Sequence, residues 1–477
     1  MKRLRIPLVI VLLVVAGRTF DAGAQTKTNL HSFGSVPNDG NTPYAGLVQG
    51  SDGNFYGTTF EGGTSTNCDG GCGTVFRISP SGTYTALYSF VGYPSDGFYP
   101  RAGLMQGSDT NFYGTTEGGG TYNNGTVFRV SPSGSETNLY SFLGSPTDGA
   151  TPYAGLVQGS NGDFYGTTYA GGTNGLGTVF RISPSGSETN LYSFGGFPDG
   201  YNPEAGLVQG SDGNFFGTTL TGGTNYGDGT VFRISPSGSY TSLYSFTSSG
   251  GAEPAAGLVL GSDGNFYGTT VYGGMTNNEG TVFLISPSGN LTNLYWFGGV
   301  PNDGNGPEGG LVQGSDGNFY GTTFFGGTST NCAGGCGTVF RISPRGIYTS
   351  LYSFLGSPTD GAWPNAGLVQ GSDGNFYGTT YKGGSNGVGT VFRISVPLNP
   401  PANQISRIQK SGTNVIFAIP SVAGETYQLQ YRNSMTSGIW SNVPGESVTN
   451  SIGSILTLTN FAGANQPQGF YRFAITP

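Results

Sequence analysis

The sequence predicts an all-β protein: a seven-bladed β-propeller closed by an N-terminal strand, followed by a small β-sandwich. The first observation is a phrase, GLVQGSDGNFYGTT with GTVFRISPSG and LYSF behind it, that recurs seven times. Its Gly-Leu step starts at Gly46, Gly103, Gly155, Gly206, Gly257, Gly310 and Gly367, at spacings of 57, 52, 51, 51, 53 and 57 residues. A period near fifty that holds four short strand-like runs is that of a propeller blade. The second observation is turn chemistry placed in phase with those runs. The third is a strand count that closes: the last third strand, ending at Ser395, has no LYSF after it, while Leu30-His31-Ser32-Phe33 precedes the first Gly-Leu-Val. The N-terminal strand is therefore expected to complete the seventh blade and remove the open edges.

Within the first repeat, Leu47-Val48-Gln49 reads as the inner strand. It runs into Asp52-Gly53, a pair that tolerates the positive φ of a two-residue hairpin turn. Residues 54–59 (NFYGTT) return as the second strand, and a Gly-rich loop of variable length covers 60–72. Residues 74–79 (TVFRIS) form the third strand, Pro80-Ser81-Gly82 turn, and 87–90 (LYSF) form the fourth. Runs this apolar on both faces suit sheets sandwiched between neighbours. The first-to-second and third-to-fourth turns are short and uniform, whereas the second-to-third loops and the blade linkers are long and variable. Strand alternation thus predicts a plain base and an opposite face of long loops, where a site would lie.

The two ends of the chain differ from this unit. Lys2, Arg3 and Arg5, an apolar stretch over 6–16 and Ala22-Gly23-Ala24 predict an export signal over residues 1–24. The apolar stretch is shorter than a membrane span needs. The propeller is expected over 28–395, a stiff Pro-rich linker over 396–403 (VPLNPPAN), and the sandwich over 404–477, around TNVIFAIP, TYQLQYRN, ILTLTN and FYRFAIT.

The unit GLVQGSDGNFYGTT…GTVFRISPSG…LYSF resembles the GloVer-type tandem repeat of exported bacterial proteins, over residues 28–395. It is also similar to the blades of two-component regulator propellers. The resemblance implies a propeller and no particular reaction. Departures include Asp109-Thr110 in place of Asp-Gly and Leu284 in place of the third-strand Arg. The pattern GETYQLQYRNS…W…FYRF resembles small fibronectin type III-like sandwiches, which implies a spacer or adhesion unit.

With 18 Lys+Arg against 26 Asp+Glu, a net charge of −8 and no basic cluster, nucleic acid and anionic membrane surfaces are excluded as partners. The 89 glycines and 27 prolines recur in phase with the aromatics and so punctuate turns. The cysteines form two near-copies, Cys68-Asp69-Gly70-Gly71-Cys72 and Cys332-Ala333-Gly334-Gly335-Cys336. In an oxidising compartment they predict two local disulfides. His31, the one histidine, takes the place of the Tyr of LYSF and reads as blade packing. That excludes a Ser-His-Asp set and a His-rich metal site.

Carboxylates remain as acid–base candidates. Asp52, Asp109, Asp212, Asp263, Asp316 and Asp373 lie in the base turns and read as turn chemistry. A second series, Asp39, Asp96, Asp148, Asp199, Asp303 and Asp360, lies in the linkers on the long-loop face, as turn residues or as a ring of carboxylates that could hold Ca²⁺ or an oligosaccharide. No linker has the D-x-D-x-D spacing of a calcium loop, so no metal or other cofactor is expected. Glu61, Glu117, Arg101, Glu204, Glu253, Glu279, Glu308 and Lys382 break the repeat symmetry and are scattered over different blades. Tyr44, Tyr99, Tyr153, Tyr201 and Trp363 flank the linker prolines, and Phe60, Tyr169, Tyr272, Phe325 and Tyr381 open the second-to-third loops. Aromatic faces beside Asn, Asp and Gly suit sugar rings.

Read as a whole, the sequence predicts an exported, monomeric, non-enzymatic binding or scaffold module for polysaccharide or cell-surface polymer, with no membrane span after signal cleavage. A glycan hydrolase or lyase using rim carboxylates, and a structural envelope or matrix protein, are the alternatives.

Overall fold

The computed structural model describes residues 26–396, apart from Pro37, Asn225, Tyr226, Thr276 and Pro301, and the strands of the C-terminal segment. The export signal read over residues 1–24 and most of the Pro-rich linker lie outside the described residues. Among the described residues all regular structure is β, and residues 26–396 hold seven four-stranded antiparallel sheets with small accessory ladders. In the first sheet Val48–Gln49, Phe55–Thr59, Thr74–Ile78 and Tyr84–Ser89 are hydrogen-bonded in chain order. The molecule is a seven-bladed propeller.

The outer strand starts earlier than LYSF alone suggests, because the ladder Ile78↔Tyr84 and Arg77↔Thr85 runs right up to the Pro-Ser-Gly turn. A register shift at Val75/Phe76 then bends it. In the seventh sheet the outer position is held by Thr26–Ser32, paired with Thr390–Ser395, with a shift at Asn29/His31. Lys27 opposes Ile394 there as Tyr84 opposes Ile78.

The seams between blades repeat one design. The Tyr of FYGTT stacks on the Phe of the next blade's FYGTT: Tyr56 on Phe112 at 3.9 Å, Tyr165 on Phe215 at 4.1 Å, and Tyr377 on Phe55 at 3.9 Å across the first and last blades. Such pairs contribute about 0.5–1.5 kcal/mol each beyond the area they bury. The following Thr hydroxyl donates to a carbonyl of the next blade, from Thr58 to Ala102 O (2.9 Å) round to Thr379 to Ala45 O (2.8 Å). Between these two layers the Gly of FYGTT is sterically required. A Cβ on Gly57 would stand 2.7 Å from Phe76 Cζ and 2.8 Å from Leu47 Cδ2.

The base follows the turn chemistry. Asp52 Oδ1 accepts from the Asn54 backbone N–H (3.1 Å), and Oδ2 from the Tyr56 hydroxyl (2.8 Å), which anchors the hairpin to the seam. Third-strand arginines lie beside these turns: Arg77 opposes Tyr56 in the ladder, and Arg181 Nε stands 3.8 Å from Asp163. Both disulfides, Cys68–Cys72 and Cys332–Cys336, are formed.

The chain divides into two compact units, one carrying the seven sheets and one built around Pro397–Pro477. The second contains two three-stranded sheets, Arg407–Ser411 with Asn414–Pro420 and Ile455–Asn460, and Ser441–Thr449 with Thr426–Arg432 and Phe470–Thr476. Among the described residues no helix is long and apolar enough to cross a membrane.

Candidate functional site at the channel mouth

On the long-loop face each linker is drawn against the start of the second-to-third loop by a ladder too short to read from sequence, such as Gly40–Asn41 with Glu61–Gly62. Just beyond it stands a residue with φ near +56° in every blade: Thr42, Tyr99, Thr151, Asn202, Glu253, Gly306 and Trp363. Left-handed backbone is costly for side chains other than Gly, above all for β-branched Thr. Two hydrogen bonds hold it in place. The Thr151 N–H donates to Asn124 O of the preceding blade (2.8 Å), and its carbonyl accepts from the Tyr169 N–H (3.1 Å).

A proline follows, and after it comes the column that points at the channel mouth, two residues before the Gly-Leu pairs that line the channel. Read around the ring, this column is Tyr44, Arg101, Tyr153, Glu204, Ala255, Glu308 and Asn365. Here seven near-identical blades carry five different residue types. All seven residues are half-buried.

The structure brings several of them together. Arg101 Nη2 donates to Glu204 Oε1 at 2.5 Å, from the second blade to the fourth. Its guanidinium lies 4.2 Å from the Tyr153 ring centre and 5.3 Å from that of Tyr44, within cation–π range. Burial raises the Glu204 carboxyl, opposed by Arg101 and reinforced by Glu253. Glu117 is likewise raised by burial, against Arg101. Glu308 is pushed up to about 7, by burial first and then by Glu204, with Arg101 opposing. One cation therefore serves three carboxyls in a partly dry mouth.

Beside this cluster runs an arc of six aromatic rings. Tyr99 stacks on Phe60 at 4.5 Å, Phe60 meets Tyr44 at 5.0 Å, and Tyr44 meets Tyr381 at 4.8 Å. Tyr381 lies 6.4 Å from Phe324, which stacks on Trp363 at 5.9 Å. Each end of the arc is braced by a disulfide loop. The Tyr99 N–H donates to Cys72 O (3.0 Å) and its hydroxyl to Asp69 O (3.0 Å). The Trp363 N–H donates to Cys336 O (2.9 Å) and its indole N–H to Gly335 O (3.1 Å). The two blades with a disulfide loop are the two followed by an aromatic at the left-handed position.

The Gloeobacter/Verrucomicrobia repeat matches the chain over residues 17–223, 108–331 and 301–399. The chain belongs to the Gloeobacter/Verrucomicrobia repeat family. No curated protein sequence matches it. Among solved structures it is similar to the extracellular domain of a hybrid two component system of B. thetaiotaomicron. Identity there is 13%, the TM-score is 0.46, and the match covers 89% of this chain and 53% of that one. It is also similar to PorZ, a surface component of the type-IX secretion system of Porphyromonas gingivalis (16% identity, TM-score 0.47, 92% and 58% covered). A third likeness is to a puromycin hydrolase (12%, TM-score 0.45, 80% and 59%). The chain thus spans little more than half the length of these three.

In this member of the repeat family the aromatics singled out from sequence fall at three different positions. Tyr44 and Tyr153 stand in the mouth column, Tyr99 and Trp363 at the left-handed position. Tyr201 pairs with Thr221 in a rim ladder and packs on a seam core, away from the arc. Phe60, Tyr169 and Tyr381 are equivalent, but their counterparts in the fifth and sixth blades are Val271 and Phe324, one residue before Tyr272 and Phe325.

The linker aspartates turn inward. Asp39, Asp96, Asp148, Asp303 and Asp360 are buried, and Asp199 is half-buried. Asp96 Oδ2 accepts from the Tyr88 hydroxyl (2.8 Å) and the Val91 N–H (2.8 Å), and Oδ1 from the Gly97 N–H (2.7 Å). Asp148, Asp199, Asp303 and Asp360 repeat the Tyr contact at 2.7–2.8 Å. His31 takes that role toward Asp39 (3.0 Å) while stacking on Tyr84 at 4.0 Å. The geometry makes this series a set of linker anchors, because its lone pairs already face phenol and backbone donors.

Proposed function

We propose that the protein is an exported binding module that presents the channel mouth and its aromatic arc to a polysaccharide or cell-surface polymer. The observation that carries this reading is a column of divergent residues from near-identical blades, gathered around Arg101 at one mouth beside six linked aromatic rings. Half-buried rings next to carboxylates and one guanidinium suit a hydroxyl-rich chain, with stacking for affinity and charged groups for orientation. In the same reading the N-terminal strand clasps the ring shut, and the C-terminal strands form a fibronectin type III-like spacer. A polysaccharide pull-down with the full chain tests it. Retention of a polymer by the wild type, lost in Tyr153→Ala and Trp363→Ala, is the expected result. Wild-type failure across cell-wall and plant polymers removes the reading.

A second reading, a glycan hydrolase or lyase, is favoured by one observation: Glu117, Glu204 and Glu308 share Arg101, and a carboxyl near 7 can act as a general acid at neutral pH. Release of reducing ends from a retained polymer, abolished by Glu308→Gln, is its test.

A further inference from the structure

The two disulfide loops lie in stretches that match in register without an insertion, from Asn67 to Gly125 and from Asn331 to Gly389. The surroundings of the disulfides nonetheless differ. Beside Cys68–Cys72, Phe98 pairs with Gly118 in the rim ladder, and its ring lies over the glycine: a Cβ there would stand 2.3 Å from Phe98 Cζ. Asp69 adds a carboxylate to the same loop, and Tyr93 a second ring. Beside Cys332–Cys336 the ladder pair is Ala362 with Lys382, with Ala333 at the place of Asp69 and Ser357 at that of Tyr93. Where one seam has two rings and an acid, the other has two methyl groups and a hydroxyl. It also has an amine where the first has only glycine.

These smaller residues wall an open recess. Its volume is about 330 Å³, between Cys332, Ala333, Ser357, Ala362, Trp363 and Lys382, and small-ligand sites run from roughly 300 to 1,000 Å³. Trp363 is a fixed wall, because its indole N–H donates to Gly335 O (3.1 Å) and its backbone N–H to Cys336 O (2.9 Å). Lys382 Nζ lies 4.6 Å from the Tyr381 ring centre. Among the described residues it pairs with no carboxylate, and the mouth carboxyls answer instead to Arg101. No other blade places a cation at this ladder position, which holds Glu61, Gly118, Ala170, Thr221, Tyr272 and Phe325 elsewhere.

We propose that this recess, at the Trp363 end of the aromatic arc, is a subsite for a carboxylated sugar residue, a uronic acid of a polysaccharide, with its ring against the indole and its carboxylate on Lys382 Nζ. The inference rests on the polysaccharide reading above and narrows it to an acidic polymer. The C–H face of a sugar ring packs on an aromatic wall, and a charge-assisted hydrogen bond to an ammonium is roughly twice as strong as a neutral one. Ser357 Oγ donates to Gly384 O (3.2 Å), which leaves its lone pairs to accept from a sugar hydroxyl. The net charge of −8 repels a polyanion from the molecule as a whole. A cation without a carboxylate partner, set in a recess, therefore decides where such a chain docks.

The test is titration calorimetry of the full chain with oligogalacturonate and oligomannuronate, each beside its methyl ester, which keeps the rings and removes the charge. Wild type should bind at least one acid about tenfold more tightly than its ester, and added salt should shrink that preference. Lys382→Met should erase it. Ala362→Phe with Lys382→Gly copies the Phe98–Gly118 pair that the other disulfide seam already accommodates, so this variant should keep its Tm while binding of the acid falls about tenfold. Equal affinity of the wild type for acids and esters overturns the subsite and leaves the polysaccharide reading standing, as does failure to bind either acid while the pull-down retains a polymer. A preference that survives in both variants overturns it too, because the carboxylate then sits elsewhere, with Arg101 the next cation to change. Failure of every oligomer and every polymer removes both readings together.

Discussion

Arg101, in the second blade, donates to Glu204 in the fourth at 2.5 Å, and its guanidinium rests over the Tyr153 ring of the blade between. One side chain so links three blades at the channel mouth. The contact is between non-neighbours and lies above the seams that hold the ring together, so it can be altered without dismantling a blade.

Removing Arg101 alone leaves the Glu204 carboxyl half-buried without its cation. Arg101→Ala should cost about 1–2 kcal/mol, and Glu204→Gln less. The double variant should fall short of the sum of the two single losses, since the second change removes the stranded group. Thermal unfolding of the four proteins measures the coupling. Strict additivity would contradict the pairing.

Glu308 predicts a pH dependence of definite sign. Its folded pKa, about 7, lies above the ordinary 4.5, so its contribution is fully present below pH 4.5 and is lost as pH rises through 7. Wild-type Tm should fall across that window more steeply than the Tm of Glu308→Gln, and the two curves should run parallel above pH 8. Coincident slopes between pH 5 and 7 would place this carboxyl in water.

Thr151 holds φ at +56°, where a β-branched side chain is strained. Thr151→Gly should therefore raise stability by about 1 kcal/mol, the strain relieved exceeding the backbone freedom gained by the unfolded chain. The same change at Thr42 should behave alike. A lower Tm in both variants would mean that the Thr side chains contribute contacts outweighing the backbone strain.

Reducing the two disulfides should loosen Tyr99 and Trp363 at opposite ends of the arc. Each bond closes a small ring and contributes about 2 kcal/mol, so the fold should survive dithiothreitol with a lowered Tm. Polymer retention should drop more sharply, and Cys332→Ser with Cys336→Ser should mimic the Trp363→Ala loss. Undiminished retention after full reduction would separate the loops from binding.

The blades were legible because their strands alternate with turn residues whose backbone demands are local: Asp52-Gly53 and the Gly of FYGTT dictate a turn and a close approach wherever they occur. The linker aspartates were open between turn residues and a ligand ring, since sequence places Asp96 on the long-loop face but does not say which way its carboxyl points. The available signal was Tyr88, eight residues upstream, recurring with Asp96 in almost every repeat. The mouth column was missed for a different reason. Arg101, Glu204 and Glu308 look scattered when read along the chain, and they line up only when each repeat is counted back from its Gly-Leu step. Tyr272 and Phe325 were displaced by one residue because the second-to-third loops vary in length and give no anchor for counting.

The threonine-to-carbonyl bonds that pass from each blade to the next use the same two backbone neighbourhoods all the way round, from Thr58 with Ala102 to Thr379 with Ala45. Any blade can in this respect stand next to any other. Unequal exchange between repeats in the coding DNA would shuffle whole blades while leaving the joints intact, and each shuffle would reorder Tyr, Arg, Glu and Asn around the mouth. A permutation of blades would keep these joints while changing which residues meet at the mouth, so the threonine bonds place no limit on the order.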